Sequence, residues 1–183
     1  WLAKYGVRDP RGGGRLSGRE TVSRVAAGAL ARHWLSETGV TITSHIRSVG
    51  GVPWDPRIPC TEEVDRWPAE ILHVIEEATR EGDSLGARVT VTATGVPPGW
   101  GDPVFEKLEA ALARAVMSVG AIRGVAVGEG WSAPDTTGSI FNAERALGGL
   151  DTNRAGGIEG GMTNGEPLVL RVVEEDRVNI IAP

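Results

Sequence analysis

Sulfur is scarce in this chain: Cys60 is the only cysteine among 183 residues, beside two methionines. One thiol builds neither an intrachain disulfide framework nor a cysteine metal cluster, and it fits a reducing cytoplasm best. Aromatic residues are few as well, with one tyrosine, two phenylalanines and six scattered tryptophans. Such scatter suits core or edge positions better than a platform for stacking on bases. No apolar run approaches the roughly 18 residues that a membrane span requires. Basic charge is not in excess, since 19 Lys and Arg face 24 Asp and Glu for a net charge of −5. Both nucleic acid and membrane are therefore expected to be absent from the partners.

Histidine is equally sparse. His33, His45 and His73 share no ligand spacing with carboxylates, so each is expected to be structural or solvated and no metal is expected. There is no Gly-x-Ser-x-Gly elbow of the kind that positions a hydrolase serine. The opening residues, WLAKYGVRDP, lack an initiator methionine. They also lack the basic-then-apolar pattern of a secretory signal. The expectation is a cytoplasmic protein whose residues 1–183 form one core domain, a segment of a longer chain.

What is present reads as globular: 40% apolar and 23% charged residues, in a length that suits one core. Ser17 and Glu20 make the two ends of a capping box. Val22, Val25, Ala26, Ala29, Leu30 and Trp34 then recur at helical spacing. This predicts an amphipathic helix over 18–36, with Gly39 past its end. From Val40 the period becomes two, and a strand follows. A helix over 69–81 is predicted to bury Ile71, Leu72, Ile75 and Ala78, with Pro68 in its first turn and Gly82 as its cap.

ARVTVTATGV is a second strand, with Val89, Val91 and Ala93 opposed to Thr90, Thr92 and Thr94. Asp102 and Pro103 predict the start of a helix reaching about Val119, with Val104, Leu108, Ala111, Leu112, Ala115 and Val116 inward. IRGVAVGEG and PLVLRVV are further strands. Residues 131–166 carry no period, and so long a stretch is more often functional or disordered than idle. Half-polar strands alternating with helices predict an α+β layered sandwich and exclude a buried parallel sheet.

Two stretches could carry chemistry. RGGGRLSGRE places Arg15 and Arg19 around a helix start, where free N–H groups and the dipole favour an anion and the forked guanidinium suits phosphate. A capped helix after a turn, its arginines in solvent, is the alternative reading. TNRAGGIEGGMTNG places two Gly-Gly pairs where neither helix nor strand is served by glycine. These pairs suit a backbone pressed against another segment or against a flat ligand, and a Gly-rich loop without a ligand is the other reading.

KYGVRDPRGGGRLSGRETVSRVAAGA resembles the chorismate synthase segment in which a Gly-rich stretch precedes an Arg-Ser-Ser-Ala-Arg-Glu-Thr motif. EGDSLGARVTVTATGVPPGWGDPVFEKLEAALARAVMSVGAIRGVAVGEG is similar to the same family's central segment. TNRAGGIEGGMTNGEPLVLRV is similar to its Asn-His/Arg-Ala-Gly-Gly-Ile loop. The three occur in the family's order. The resemblance implies a sandwich of helices between antiparallel sheets, assembled as a homotetramer. It also implies the shikimate-pathway conversion of 5-enolpyruvylshikimate 3-phosphate to chorismate, a 1,4-elimination that requires reduced FMN.

Position by position, the resemblance assigns Arg15, Leu16, Ser17, Gly120, Ala121 and Gly160 to FMN and Arg19 to the substrate's phosphate or carboxylate. It also gives the glycines a reason, because a flavin ring against backbone leaves little room for side chains. Leu16 departs from the small residue usual there. Neither catalytic histidine of the family is matched, so no catalytic residue is assigned. Glu175 stands where a lysine beside the flavin phosphate is expected, and an acid there repels phosphate. The alternative is a catalytically inactive relic, or an oligomerising flavin- or anion-binding module.

Overall fold

The computed structural model describes residues 2–11, 18–55, 57–58, 66–142, 145–146 and 149–175. In chain order the elements are α1 (Leu2–Tyr5), α2 (Thr21–Glu37), β1 (Thr41–Val49), β2 (Val52–Pro53), α3 (Ala69–Glu81), β3 (Gly86–Thr94), α4 (Leu108–Met117) and β4 (Ile122–Val127). The short α5 (Gly138–Phe141) follows, then β5 (Arg145–Ala146), β6 (Gly149–Leu150), β7 (Ile158–Glu159), β8 (Met162–Thr163) and β9 (Leu168–Glu175). Five strands form one antiparallel sheet in the order β2-β1-β3-β9-β4, and β5-β6 and β7-β8 are separate hairpins. This is the expected α+β class, and the described residues supply one sheet and one helical layer of the sandwich.

Period two decides the faces of the sheet. Ile42 lies opposite Ala93, Ala93 opposite Leu168, and Val127 opposite Leu170. On this face Ile42, Ala93, Leu168 and Val127 join Val40, Val96 and Ile158, with Leu108 and Leu112 of α4 and Leu35 of α2. The opposite face carries Thr41, Thr43, His45, Thr94 and Arg171, all exposed. Thr90 is buried on that side, where its hydroxyl oxygen accepts a hydrogen bond from Arg47 Nε at 3.0 Å.

Several helix boundaries follow the sequence closely. Gly82 ends α3 in the left-handed conformation at φ 67°, and Ile71 and Ala78 are the buried side chains of that helix. Pro68 stands just outside the helix as its N-cap residue rather than in the first turn. Gly39 lies past the end of α2 at φ 87°.

Two expectations are corrected. Asp102 and Pro103 do not open a helix: residues 102–106 form a tight turn closed by reciprocal backbone bonds between Asp102 and Glu106 at 2.9 and 3.0 Å. The residues that favour a helix start also favour turns, and α4 begins only at Leu108, whose N–H donates to the Gly161 carbonyl at 2.9 Å. Val104 is consequently exposed, and so is Ala115, on the outer side of α4.

The second correction concerns α2. Its predicted apolar stripe faces outward: Val22, Val25, Leu30 and Trp34 are 68–74% exposed, and no residue of the helix is fully buried. The inward arc is instead Thr21, Arg24 and Leu35, all half-buried. At 3.6 residues per turn these lie opposite the stripe. Helical periodicity shows that one face is apolar, without fixing which side the rest of the chain occupies. Ser17, one end of the predicted capping box, lies outside the described residues. α2 is entered through a 3-10 turn, Gly18–Glu20, and its N-cap is Glu20 without a side-chain cap.

Candidate functional site

The start of α2 is fastened to the end of α4. Glu20 accepts two hydrogen bonds from Arg24 Nε, at 2.9 and 3.1 Å, one turn along the helix. Arg24 Nη1 donates to Ser118 Oγ at 2.9 Å, and Ser118 Oγ donates to the Ala115 carbonyl at 2.6 Å. One arginine thus bridges an acid on α2 and the cap of α4. Arg19 sits beside Glu20 in the 3-10 turn and is exposed.

Directly after Ser118, the chain turns through Gly120 and Ala121 into β4. A Cβ placed on Gly120 meets nothing within 4 Å. Ala121 is the one non-glycine residue with positive φ, at 67°, among the described residues. Backbone held in that region costs on the order of 1–3 kcal/mol and concentrates at functional sites. Arg24, Gly120 and Ala121 therefore form a corner of approachable backbone beside a guanidinium, and the 3-10 turn that carries Arg19 adjoins it.

The same end of the sheet holds a cavity of about 430 Å³, lined by Arg47, Gly50, Gly86, Arg88, Val173 and Glu174 among others. Glu174 pairs with Ile122, next to Ala121, which places the cavity one strand away from that corner.

Gly160 lies elsewhere. It occupies the β7–β8 turn with Gly161, whose carbonyl receives the first N–H of α4. Gly160 and the Gly120–Ala121 turn therefore stand at opposite ends of a ten-residue helix, about 15 Å apart along its axis. One copy of the described chain does not gather them into a single pocket. Arg15, Leu16 and Ser17 lie outside the described residues. The backbone of Glu175 pairs with Gly86 at the end of β9.

Gly156 and Gly157 of the glycine loop have a reason within the chain itself. Gly156 and Gly128 face each other so closely that a Cβ on Gly156 would collide with Gly128 backbone. Asn153 secures this crossing, accepting from Gly157 N–H at 2.8 Å and donating through Nδ2 to the Pro167 carbonyl at 2.8 Å. Thr163, also buried, accepts from Trp100 N–H at 2.8 Å and donates to the Pro97 carbonyl at 2.7 Å. Gly156 and Gly157 thus meet the chain's own backbone, while Gly160 faces open space. Periodicity could not reveal Arg24, Ser118, Asn153 or Thr163, because each acts through a contact distant in sequence.

His33, His45 and His73 are all exposed, and His33 Nε2 lies 3.9 Å from Glu37. Among the described residues no three His, Cys, Asp or Glu side chains gather as for a metal, and no helix is long and apolar enough to cross a membrane. One close charge pair, Asp55 with Arg57, is remote from the corner. Hydrogen bonds from the Arg57 side chain and backbone hold the exposed Asp55 carboxyl down at about 2, from an ordinary 3.8.

Known proteins show the same architecture. The chorismate synthase family profile matches residues 1–180. A chorismate synthase of Nitratidesulfovibrio vulgaris (strain DP4) is 48% identical over 180 residues, covering 92% of this chain and 50% of the relative. That of Stenotrophomonas maltophilia (strain K279a) is 41% identical over 181 residues, covering 93% and 48%. A crystal structure of a chorismate synthase superposes with a TM-score of 0.83 at 33% identity, over 95% of this chain and 60% of that one. The chain spans about half the length of the curated relatives it matches. By sequence and by fold alike, it belongs to the chorismate synthase family.

Proposed function

We propose that this chain supplies one side of a chorismate synthase active site, where 5-enolpyruvylshikimate 3-phosphate loses phosphate and a proton to give chorismate. The observation that carries the reading is the corner of Arg24, Gly120 and Ala121, with Arg19 adjoining it. Cations, open backbone and a left-handed alanine meet there, at positions that resemble the family's flavin and substrate contacts.

FMN fits this corner in chemistry, since guanidinium groups suit its phosphate and backbone without side chains suits its flat ring. Arg15, Leu16, Ser17, Gly120 and Ala121 would hold it at this corner, and Gly160 would contact it from the second surface that completes the site. Reduced FMN held by these residues would supply electron density to the elimination without net oxidation. Arg19 binds the substrate's phosphate or carboxylate and stabilises charge on the departing phosphate. No proton carrier is assigned within the chain, because the three histidines match neither family histidine. Gly160 stands at the far end of α4, so a second surface completes the site around it. A cytoplasmic homotetramer is the assembly proposed.

A second reading, a relic that keeps the fold without turnover, is favoured by the unmatched histidines. Two measurements separate them. Anaerobic assay with reduced FMN and substrate is expected to give weak or no chorismate from this chain alone. It is expected to recover turnover once the relatives' remaining half is restored. Titration with FMN is expected to show binding that Arg15→Ala weakens about tenfold. Absence of both binding and restored turnover would leave the relic.

A further inference from the structure

We propose that the cavity at the end of the sheet, opening on the face turned away from α2 and α4, binds a small phosphate-bearing molecule between Arg47 and Arg88. The inference rests on the geometry of β1, β3 and β9 and does not depend on turnover at the corner.

β1 changes register at this place. Up to Ile46 its residues alternate, with His45 on the outer face opposite Thr90 and Ile46 on the helical face opposite Val89. Ser48 then lies opposite Arg88, so Arg47 is an extra residue without a counterpart on β3. A bulge of this kind re-aims side chains and is over-represented beside active sites. Here it brings two consecutive residues to the outer face. Arg47 Nε donates to the buried Thr90 Oγ1 at 3.0 Å, which fixes the guanidinium over β3. Without the extra residue, alternation would send either Arg47 or Ser48 to the other side of the sheet.

Arg47, Ser48 and Arg88 line the cavity of about 430 Å³ together with Val173, which stands opposite Arg88. The Gly50–Gly51 turn forms one wall and is closed by the Gly50 N–H on the Gly86 carbonyl at 2.9 Å. A Cβ on Gly51 meets nothing within 4 Å, so the backbone there is open to a ligand. Glu174 reaches the rim from a strand position that alternates to the helical face.

Charge points to an anion. Acids outnumber bases in the chain, 24 against 19, and Arg11, Arg24, Arg57, Arg80 and Arg154 each pair with a carboxylate. Arg47 and Arg88 share one cavity, and among the described side chains neither pairs with an acid. Two like charges in one concavity repel each other and concentrate anions. Thr90 occupies only Nε of Arg47, so the terminal N–H groups of both forks remain for a ligand, beside the Ser48 hydroxyl. A tetrahedral phosphate offers oxygen pairs to two forks at once, whereas a planar carboxylate offers one pair. A cavity of this size suits a small molecule, and the acidic balance of the chain disfavours nucleic acid.

The test is an NMR titration of the 183-residue chain with inorganic pyrophosphate at low salt. Amide shifts at 47–51 and 86–88 are expected to saturate together, with a Kd below about 1 mM. Arg47→Gln and Arg88→Gln replace exposed side chains and keep the fold, and each is expected to raise that Kd at least about fivefold. Thr90→Val keeps the charge but removes the acceptor that orients Arg47, and is expected to raise it about threefold. Arg114→Gln removes an equal charge from the exposed side of α4 and is expected to leave it within about 1.5-fold. Saturating shifts confined to α2 and residues 118–122 would put the anion at the corner and overturn the proposal. Arg114→Gln as damaging as Arg88→Gln would also overturn it, as the mark of a response to net charge alone. Citrate binding as tightly as pyrophosphate would remove the preference for phosphate, and no saturable shift up to about 10 mM would remove the site.

Discussion

Helices α2 and α4 lie side by side, joined by Arg24 and Ser118 at one end and by a shared cluster containing Leu35, Leu108 and Leu112 at the other. Both have apolar periodicity, yet they use it in opposite senses. α4 turns Leu108 and Leu112 onto the sheet, and its first N–H is held by the Gly161 carbonyl. α2 turns its stripe away and keeps only Leu35 and a polar clasp for the body of the chain. The lesson is that periodicity shows a helix to have an apolar face without showing which way that face turns; tertiary contacts decide the difference.

The comparison breaks most severely at the start of α4. Gly101 has φ 127°, and a Cβ there would collide with the Gly161 carbonyl that anchors Leu108. Gly101→Ala is expected to cost about 3 kcal/mol in urea unfolding, from backbone strain and overpacking together. Next in size is a matched truncation of one leucine in each helix. Leu112→Ala should cost about 2 kcal/mol, whereas Leu30→Ala should stay within about 0.5 kcal/mol in the isolated chain. Equal costs would mean that α2 is packed after all.

A smaller effect tests the clasp. Arg24→Ala removes a partly exposed ion pair with Glu20 and a hydrogen bond to Ser118, and should cost about 0.5–1 kcal/mol. The smallest lies outside both helices, as a control on surface electrostatics. Arg57→Ala should return the Asp55 carboxyl from about 2 towards 3.8, read by NMR titration. Because the folded value is depressed, whatever stability the pair adds is present above about pH 4 and lost as pH falls through 2. The pair is fully exposed, so that contribution is slight.

Much of the fold was legible in the residues. The alternation in ARVTVTATGV named both faces of β3, and Ile71 and Ala78 named the buried side of α3. The failures have physical causes. Asp102-Pro103 suits a tight turn as well as a helix start, and the bond from Leu108 to Gly161 decides between them from 53 residues away. Gly156 and Gly128 meet backbone to backbone, a contact that leaves no periodic trace. Of the candidate site, Arg19 was legible from its place at a helix start, whereas Gly120 and Ala121 were legible only through resemblance. The clasp of Glu20, Arg24 and Ser118 that frames them emerges from tertiary contact alone. The stripe of α2 was read correctly as apolar, and its outward direction became visible only in the structure.

The orientation of α2 is tested most directly by residue-resolved hydrogen exchange on the isolated chain. Opening free energy rises with the number of buried contacts, so amides in 22–34 should exchange at least about 100-fold faster than those of α4. Protection of α2 equal to that of α4, in a chain shown to be monomeric, would contradict the outward stripe.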